Sequence, residues 1–278
     1  MRSVSRLAAL FLFPDNPEKH LQLLKIVIPK VGELRQRAME QDLFPGNLIV
    51  EIGRFFLGAP YKAGVLDASG KEKLIVNLSS FDCTTFVETV LALTRCAVHG
   101  KITPDEFRKT LKFIRYRQGT ITGYSSRLHY FSNWLRDNEK KQILKDVSRQ
   151  FDAEVQRKKI NYMTTHCTSY PALKNEDEFQ KMLLVEKNIS RKVFHIISKD
   201  KVPRQKAQIK NGDIIAFTTD QEGLDVAHVG FAYWQDKNLH LLHASSKEGG
   251  VVISAKTLMA YLKQNKKFSG IIVARPLS

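Results

Sequence analysis

An α+β fold, with helices leading and an antiparallel sheet closing the chain, follows from three features of this 278-residue sequence. Apolar residues recur at helical spacing up to about residue 115, alternate with a period of two after Gly212, and are irregular in between. Helices that precede strands in this way stack in layers on one core instead of alternating with them. A single domain accommodates everything: an N-terminal helical segment at 1–45, a region at 46–119 built around the helix that starts at Cys83, an inserted elaboration at 120–210, and the sheet at 211–278.

Each element has its own signal. Asn16 is placed to cap a first helix with Pro17 at its first position, and Pro29 is expected to kink or end that helix. A second helix, "NLIVEIGRFFLG", repeats Leu48, Ile49, Ile52, Phe55 and Phe56 until Gly58 stops it, and "APYKAG" then turns the chain. The third opens in "SSFDCTTFVETV": Asp82 is the N-cap, Cys83 falls in the first turn, and Phe86, Val87, Val90, Leu91, Thr94 and Ala97 mark the apolar side. "TPDEF" opens a fourth, with Thr103 as cap, Pro104 first and Glu106 completing a capping box. Between 120 and 210 only "SRLHYFSNWLRDN" has a helical rhythm. "DIIAFTT", "VAHVGFAYW", "LHLLHAS" and "GVVIS" then read as a meander of strands, "AKTLMAYLKQN" as a last helix and "SGIIVARP" as a closing strand.

The 44 Lys and Arg against 28 Asp and Glu leave a charge of +16, which favours anionic surroundings without choosing among nucleic acid, lipid and envelope polymer. Its clusters, "QRKK", "KDKVPRQK" and "KQNKK", have no interleaved aromatics and read first as solvated surface. Cys83, Cys96 and Cys167 lie far apart with no C-x-x-C pair, which argues against a disulfide framework or a zinc knuckle. The adjacent His166 and Cys167 have no partner pair at ligand spacing, so no metal is expected. "MRSVSRLAALFLF" has the basic start and short apolar stretch of a signal peptide but no small-residue cleavage site. A periplasmic or secreted location is the expectation, and a cytoplasmic one the alternative. No run approaches the roughly 20 apolar residues of a membrane-spanning helix.

The chemistry starts at Cys83. A helix N-terminus carries partial positive charge and unspent N–H groups, which favour a thiolate, although the Asp82 anion opposes it. Such a thiol needs an imidazole to move protons, and the imidazole needs a third group to hold its tautomer. In "AHVGFAY", His228 shares a strand face with Gly230 and Ala232, while Val229, Phe231 and Tyr233 point the other way. In "HLLHAS", His243 and His240 lie on opposite faces, so one of them at most meets the site; His243 is the choice because Ala244 and Ser245 end the strand beside it. Cysteine first and histidine about 145 residues later is an order found among cysteine hydrolases.

"GAPYKAG" before "FDCTTF", then "NGDIIAF", "DVAHVGFAY" and "LLHASSKEGGVVIS", resembles the ordered motif set of the NlpC-type papain-like peptidoglycan hydrolases over about residues 46–276. The resemblance implies a papain-like core with a nucleophile helix packed on the sheet, Cys83 as nucleophile, His228 as general base and acid, and His243 as its orienting residue. It also implies that Tyr61 lines the cleft, that Asp82 and the turn amides contact substrate or oxyanion, and that no organic cofactor is needed. Where many members have small residues after "DC", this chain has "DCTTFVE"; with "SRLHYFSNW" and "HCTSYPAL" it resembles a divergent branch associated with N-acetylmuramoyl-L-alanine amidase activity. Peptidoglycan or a muropeptide is the implied partner, not nucleic acid.

For 120–210 the expectation is an inserted substrate-recognition region. There Arg127 is placed to pair with a stem-peptide carboxylate, His129 to touch substrate, and Tyr130 and Trp134 to wall the cleft. An inward-packing helix explains the same aromatics equally well. Three functions stay open: the amidase, a γ-D-glutamyl-diamino-acid endopeptidase on the same thiol, and a non-catalytic basic binding module with a structural cysteine.

Overall fold

The computed structural model describes residues 17–41, 45–67 and 70–277. The signal-like start and the Asn16 cap lie outside them. Helix α1 (Pro17–Glu40) contains Pro29 and continues past it, so the proline does not end the helix. Its buried Val27, Val31 and Leu34 face the core on both sides of the proline, so packing outweighs the one backbone bond that proline removes. Arg35 also donates to Ala97 O at 2.7 Å and so covers a carbonyl at the far end of the Cys83 helix.

Among the described residues the other helices of seven or more residues are α2 (Gly46–Phe55), α3 (Cys83–Val98), α4 (Pro104–Arg115), α5 (Phe131–Lys140), α6 (Glu176–Ser190) and α7 (Leu258–Gln264). Asp82 caps α3, and Thr103 caps α4 by accepting from the Glu106 N–H. The strands are β1 (Leu144–Asp146), β2 (Glu154–Arg157), β3 (Val193–Ser198), β4 (Ile214–Thr219), β5 (Val226–Gln235), β6 (Asn238–Ser245), β7 (Gly250–Ile253) and β8 (Phe268–Pro276). They form one antiparallel sheet in the order β2-β3-β8-β4-β5-β6-β7, with β1 also pairing β8. The predicted meander is its second half.

The region 120–210 therefore extends the sheet, contributing β1, β2 and β3, where the sequence suggests loops and one helix. For β1 the reason is length, three residues, and for β2 it is exposure along all four, so neither writes a readable alternating pattern; β3 buries Phe194, Ile196 and Ile197 without strict alternation.

Helices and sheet meet on two faces. On one, Phe86 of α3 meets Phe231 of β5 edge-on at 5.9 Å, continuing a chain of aromatic contacts through Phe81 and Phe56. On the other, Leu258 and Leu262 of α7 pack with Phe217, Leu241 and Phe268. Inside the helical layer Glu88 and Arg115 form a buried ion pair at 2.6 Å, and Arg115 also donates to Ile75 O at 2.6 Å. Both partners are desolvated, so each needs the other.

Candidate active site

The N-terminus of α3 is closed by a capping box. Asp82 Oδ1 accepts from the Thr85 N–H at 2.7 Å, and the Asp82 N–H donates to Thr85 Oγ1 at 3.0 Å. Cys83 is thereby held at the first helical position, partly accessible. Its sulfur meets the backbone of Val229 and of Thr84, with the Thr84 hydroxyl 4.0 Å away. Burial first, and then the Asp82 charge, push the thiol up to about 11.

The segment 58–62 is stapled across this end of the molecule. Gly58 and Tyr61 donate to Val251 O and Gly249 O at 2.9 and 2.8 Å, and Phe81 donates to Pro60 O at 3.0 Å. Gly250 makes the approach possible, since a Cβ there would stand 2.8 Å from Ala59 O. Tyr61 consequently lies beside Asp82 and Cys83: burial, then the Cys83 and Asp82 charges, raise its hydroxyl above the ordinary phenol range.

The histidines arrive on neighbouring strands. Pairing of Phe231 with Leu242 brings Gly230 alongside His243, and a Cβ on Gly230 would lie 2.8 Å from His243 Cβ. His228, two residues earlier on the same face, reaches His243 diagonally: Nε2 of His228 and Nδ1 of His243 are 2.7 Å apart. His240 faces elsewhere and bonds Ser254 O at 2.8 Å. His243 is fully buried, and its Nε2 has no hydrogen-bond partner among the described residues. Burial holds His228 down to about 4, and burial with the His228 charge holds His243 down to about 3. No hydrogen bond joins the Cys83 thiol to His228 among the described residues; the sulfur rests on Val229, the next residue along.

Two residues not singled out from the sequence complete this end. Tyr261 of α7 packs edge-on against His243 at 5.5 Å and tilted over His228 at 6.4 Å. Asp225, buried, accepts from the Ser132 N–H at 2.7 Å and the Val226 N–H at 2.8 Å, so it ties the start of α5 to the strand that carries His228. Tyr261 recurs at helical spacing in an amphipathic segment like any packing aromatic. Asp225, three residues before His228, leaves a signal only as a helix-capping residue type far from any helix in sequence.

The residues suggested in 120–210 divide. Tyr130 and Trp134 are 3% and 2% exposed, so both belong to the core and neither walls a cleft. Tyr130 donates to Glu186 at 2.6 Å and accepts from the Met163 N–H at 2.8 Å, a buried polar knot that orients it inward. Arg127 lines a cleft of about 780 Å³ with Tyr124, Asp67, Glu72 and Glu178. Its guanidinium donates to Leu66 O at 3.0 Å and Asp67 at 3.3 Å, lies 3.5 Å from Glu72, and sits 4.9 Å over the Tyr124 ring. His129 contacts Tyr124 O at 2.9 Å, and burial, then the Arg127 charge, hold it down to about 3.

A family model described as N-acetylmuramoyl-L-alanine amidase-like, AmiA-like, matches residues 51–271. Among solved structures, an N-acetylmuramoyl-L-alanine amidase from Bacteroides uniformis is 40% identical, with a TM-score of 0.80 over 84% of this chain and 99% of that one. A Bacteroides fragilis protein described provisionally as a xylanase is 44% identical, with a TM-score of 0.76 over 80% of this chain and 98% of that one. A Legionella pneumophila protein at 22% identity shares the fold, with a TM-score of 0.66 over 88% and 94% of the two chains. No curated protein matches.

Proposed function

The chain belongs to the N-acetylmuramoyl-L-alanine amidase-like family, and from that premise we propose that it is a cysteine hydrolase of peptidoglycan or its fragments. The bond cut is the amide between the lactyl group of N-acetylmuramic acid and the L-alanine of the stem peptide. The observation that carries the reading is the 2.7 Å contact between His228 and His243 beside a thiol at a capped helix start. A thiol and two imidazoles are the set for acyl transfer. Glycoside hydrolysis needs two facing carboxylates, and the carboxylate nearest the thiol in sequence, Asp82, serves its helix cap.

For His228 to act as base, its proton sits on Nε2 and is donated to His243 Nδ1, leaving Nδ1 to receive the thiol proton. His243 then carries its own proton on Nε2 and stabilises the imidazolium that forms on its neighbour. The thiolate of Cys83 attacks the lactyl carbonyl, and the oxyanion draws on the Cys83 N–H at the first helical position. The tetrahedral species collapses as His228 protonates the departing alanine nitrogen, leaving a thioester. Water, deprotonated by His228, hydrolyses that thioester to the free muramic acid and regenerates the thiol. Tyr61 walls the thiol side, and Arg127 exchanges its exposed partner Asp67 for a stem-peptide carboxylate.

The test is mass spectrometry of a muramyl-tripeptide digest, with Cys83→Ala as control. Free tripeptide from the unsubstituted protein alone is the expected result. Release of the terminal diamino acid would assign the γ-D-glutamyl bond instead, and equal turnover by Cys83→Ala would end the thiol mechanism.

A further inference from the structure

Two basic clusters far apart in sequence, 199–206 and 263–267, become one surface. Lys199 Nζ donates to Asn265 O at 2.9 Å, and the Lys199 N–H donates to Ser269 O at 3.1 Å. Between them opens a groove of about 660 Å³, its apolar lining made by Pro203, Met259, Ala260 and Leu262, with Lys199 and Lys263 in its walls. Pro203 is exposed and Met259 partly so, while Arg204, Lys206, Lys266 and Lys267 stand exposed beside them. The opposing charges are few: Asp200 lines the groove, and Asp152 and Glu154 pair with Lys201 at 3.3 and 3.5 Å.

We propose that this groove and its basic rim are a peripheral docking surface for a membrane that carries anionic phospholipid. Lysines surrounding an apolar floor match an amphipathic partner, with headgroup phosphates on the ammonium groups and the upper acyl region on Met259 and Pro203. A single-stranded nucleic acid calls for aromatic stacking platforms, and among the described residues no aromatic side chain lines the groove. A polysaccharide polyanion would engage the lysines and leave the apolar floor without a role. The placement matters to the chemistry. The short α7 offers Met259, Ala260 and Lys263 to the groove and Tyr261 to the two imidazoles, so a docked membrane lies against the helix that backs the active site.

Sedimentation of the full chain with unilamellar vesicles tests this, using phosphatidylcholine with and without phosphatidylglycerol. Binding is expected only with phosphatidylglycerol, weakening steeply with salt. The variant Lys263→Gln/Lys266→Gln/Lys267→Gln should bind about a hundredfold more weakly, at roughly fivefold for each lysine neutralised near an anionic surface. Met259→Gln, which removes the apolar contact without changing the charge, should weaken vesicle binding while leaving the weaker binding of a duplex oligonucleotide unchanged. Thermal unfolding of each variant checks that the fold persists, and because sedimentation reads binding and not turnover, the outcome does not depend on the amidase reading. Undiminished binding by the triple variant, equal binding to both vesicle types, or a duplex oligonucleotide that competes at equal concentration would overturn the proposal.

Discussion

Asp82 acts on Cys83 in two opposed ways, and substitution separates them. As a cap it accepts from the Thr85 N–H at 2.7 Å and the Thr85 hydroxyl at 2.9 Å, which keeps Cys83 at the helix start. As an anion it opposes ionisation of the thiol, adding to the effect of burial. Asp82→Ala removes both effects. Loss of the cap costs about 1 kcal/mol, and loss of an anion at a helix N-terminus costs a further ~0.3–1 kcal/mol. Unfolding free energy should therefore fall by about 1–2 kcal/mol in equilibrium urea denaturation. Asp82→Asn keeps the acceptor and removes only the charge, so its loss should stay below ~1 kcal/mol. In both variants the thiol ionises more readily, and the pH profile of iodoacetamide alkylation should move to lower pH. The reasoning is refuted if Asn destabilises as much as Ala, or if the alkylation profile stays in place or moves to higher pH.

Three other outcomes follow from the same geometry. Glu88→Ala strands the buried Arg115 guanidinium and should cost about 3–5 kcal/mol in denaturant unfolding; a loss under ~1 kcal/mol would mean the pair is hydrated. His228 and His243 lie near 4 and 3 in the folded chain against about 6.5 when unfolded, so the unfolded chain binds the protons first on acidification. Their stabilising effect is complete above about pH 6.5 and is lost as pH falls through those folded values. The urea midpoint gap between the unsubstituted protein and His243→Gln should accordingly narrow toward acid; a widening gap contradicts the neutral, buried imidazole. Tyr261→Phe should keep kcat near that of the unsubstituted protein, because the ring does the packing. Tyr261→Ala should lower kcat and shift the pH–rate profile as water reaches the imidazoles, and an unchanged profile would reduce Tyr261 to a filler.

How much of this molecule was legible beforehand depends on the distance over which each feature is encoded. The capped start of α3, the strands after Gly212 and the small-residue face around His228 are properties of consecutive residues, and sequence alone determines them. Strand alternation narrows the third residue to His243 or His240, but only the β5–β6 register brings His243 to His228 and sends His240 to Ser254. Tyr130 and Trp134 show the limit in the other direction. Their spacing marks one helical face, and only the buried Glu186 and Met163 contacts decide that the face turns inward. The passage of α1 through Pro29, the pairing of the short β1 and the exposed β2 into the sheet, and the arrival of Tyr261 beside two imidazoles were decided by packing between segments far apart in the chain. Periodicity reports which side of an element is apolar; which partner covers that side depends on the energies of contacts that exist only once the chain has closed.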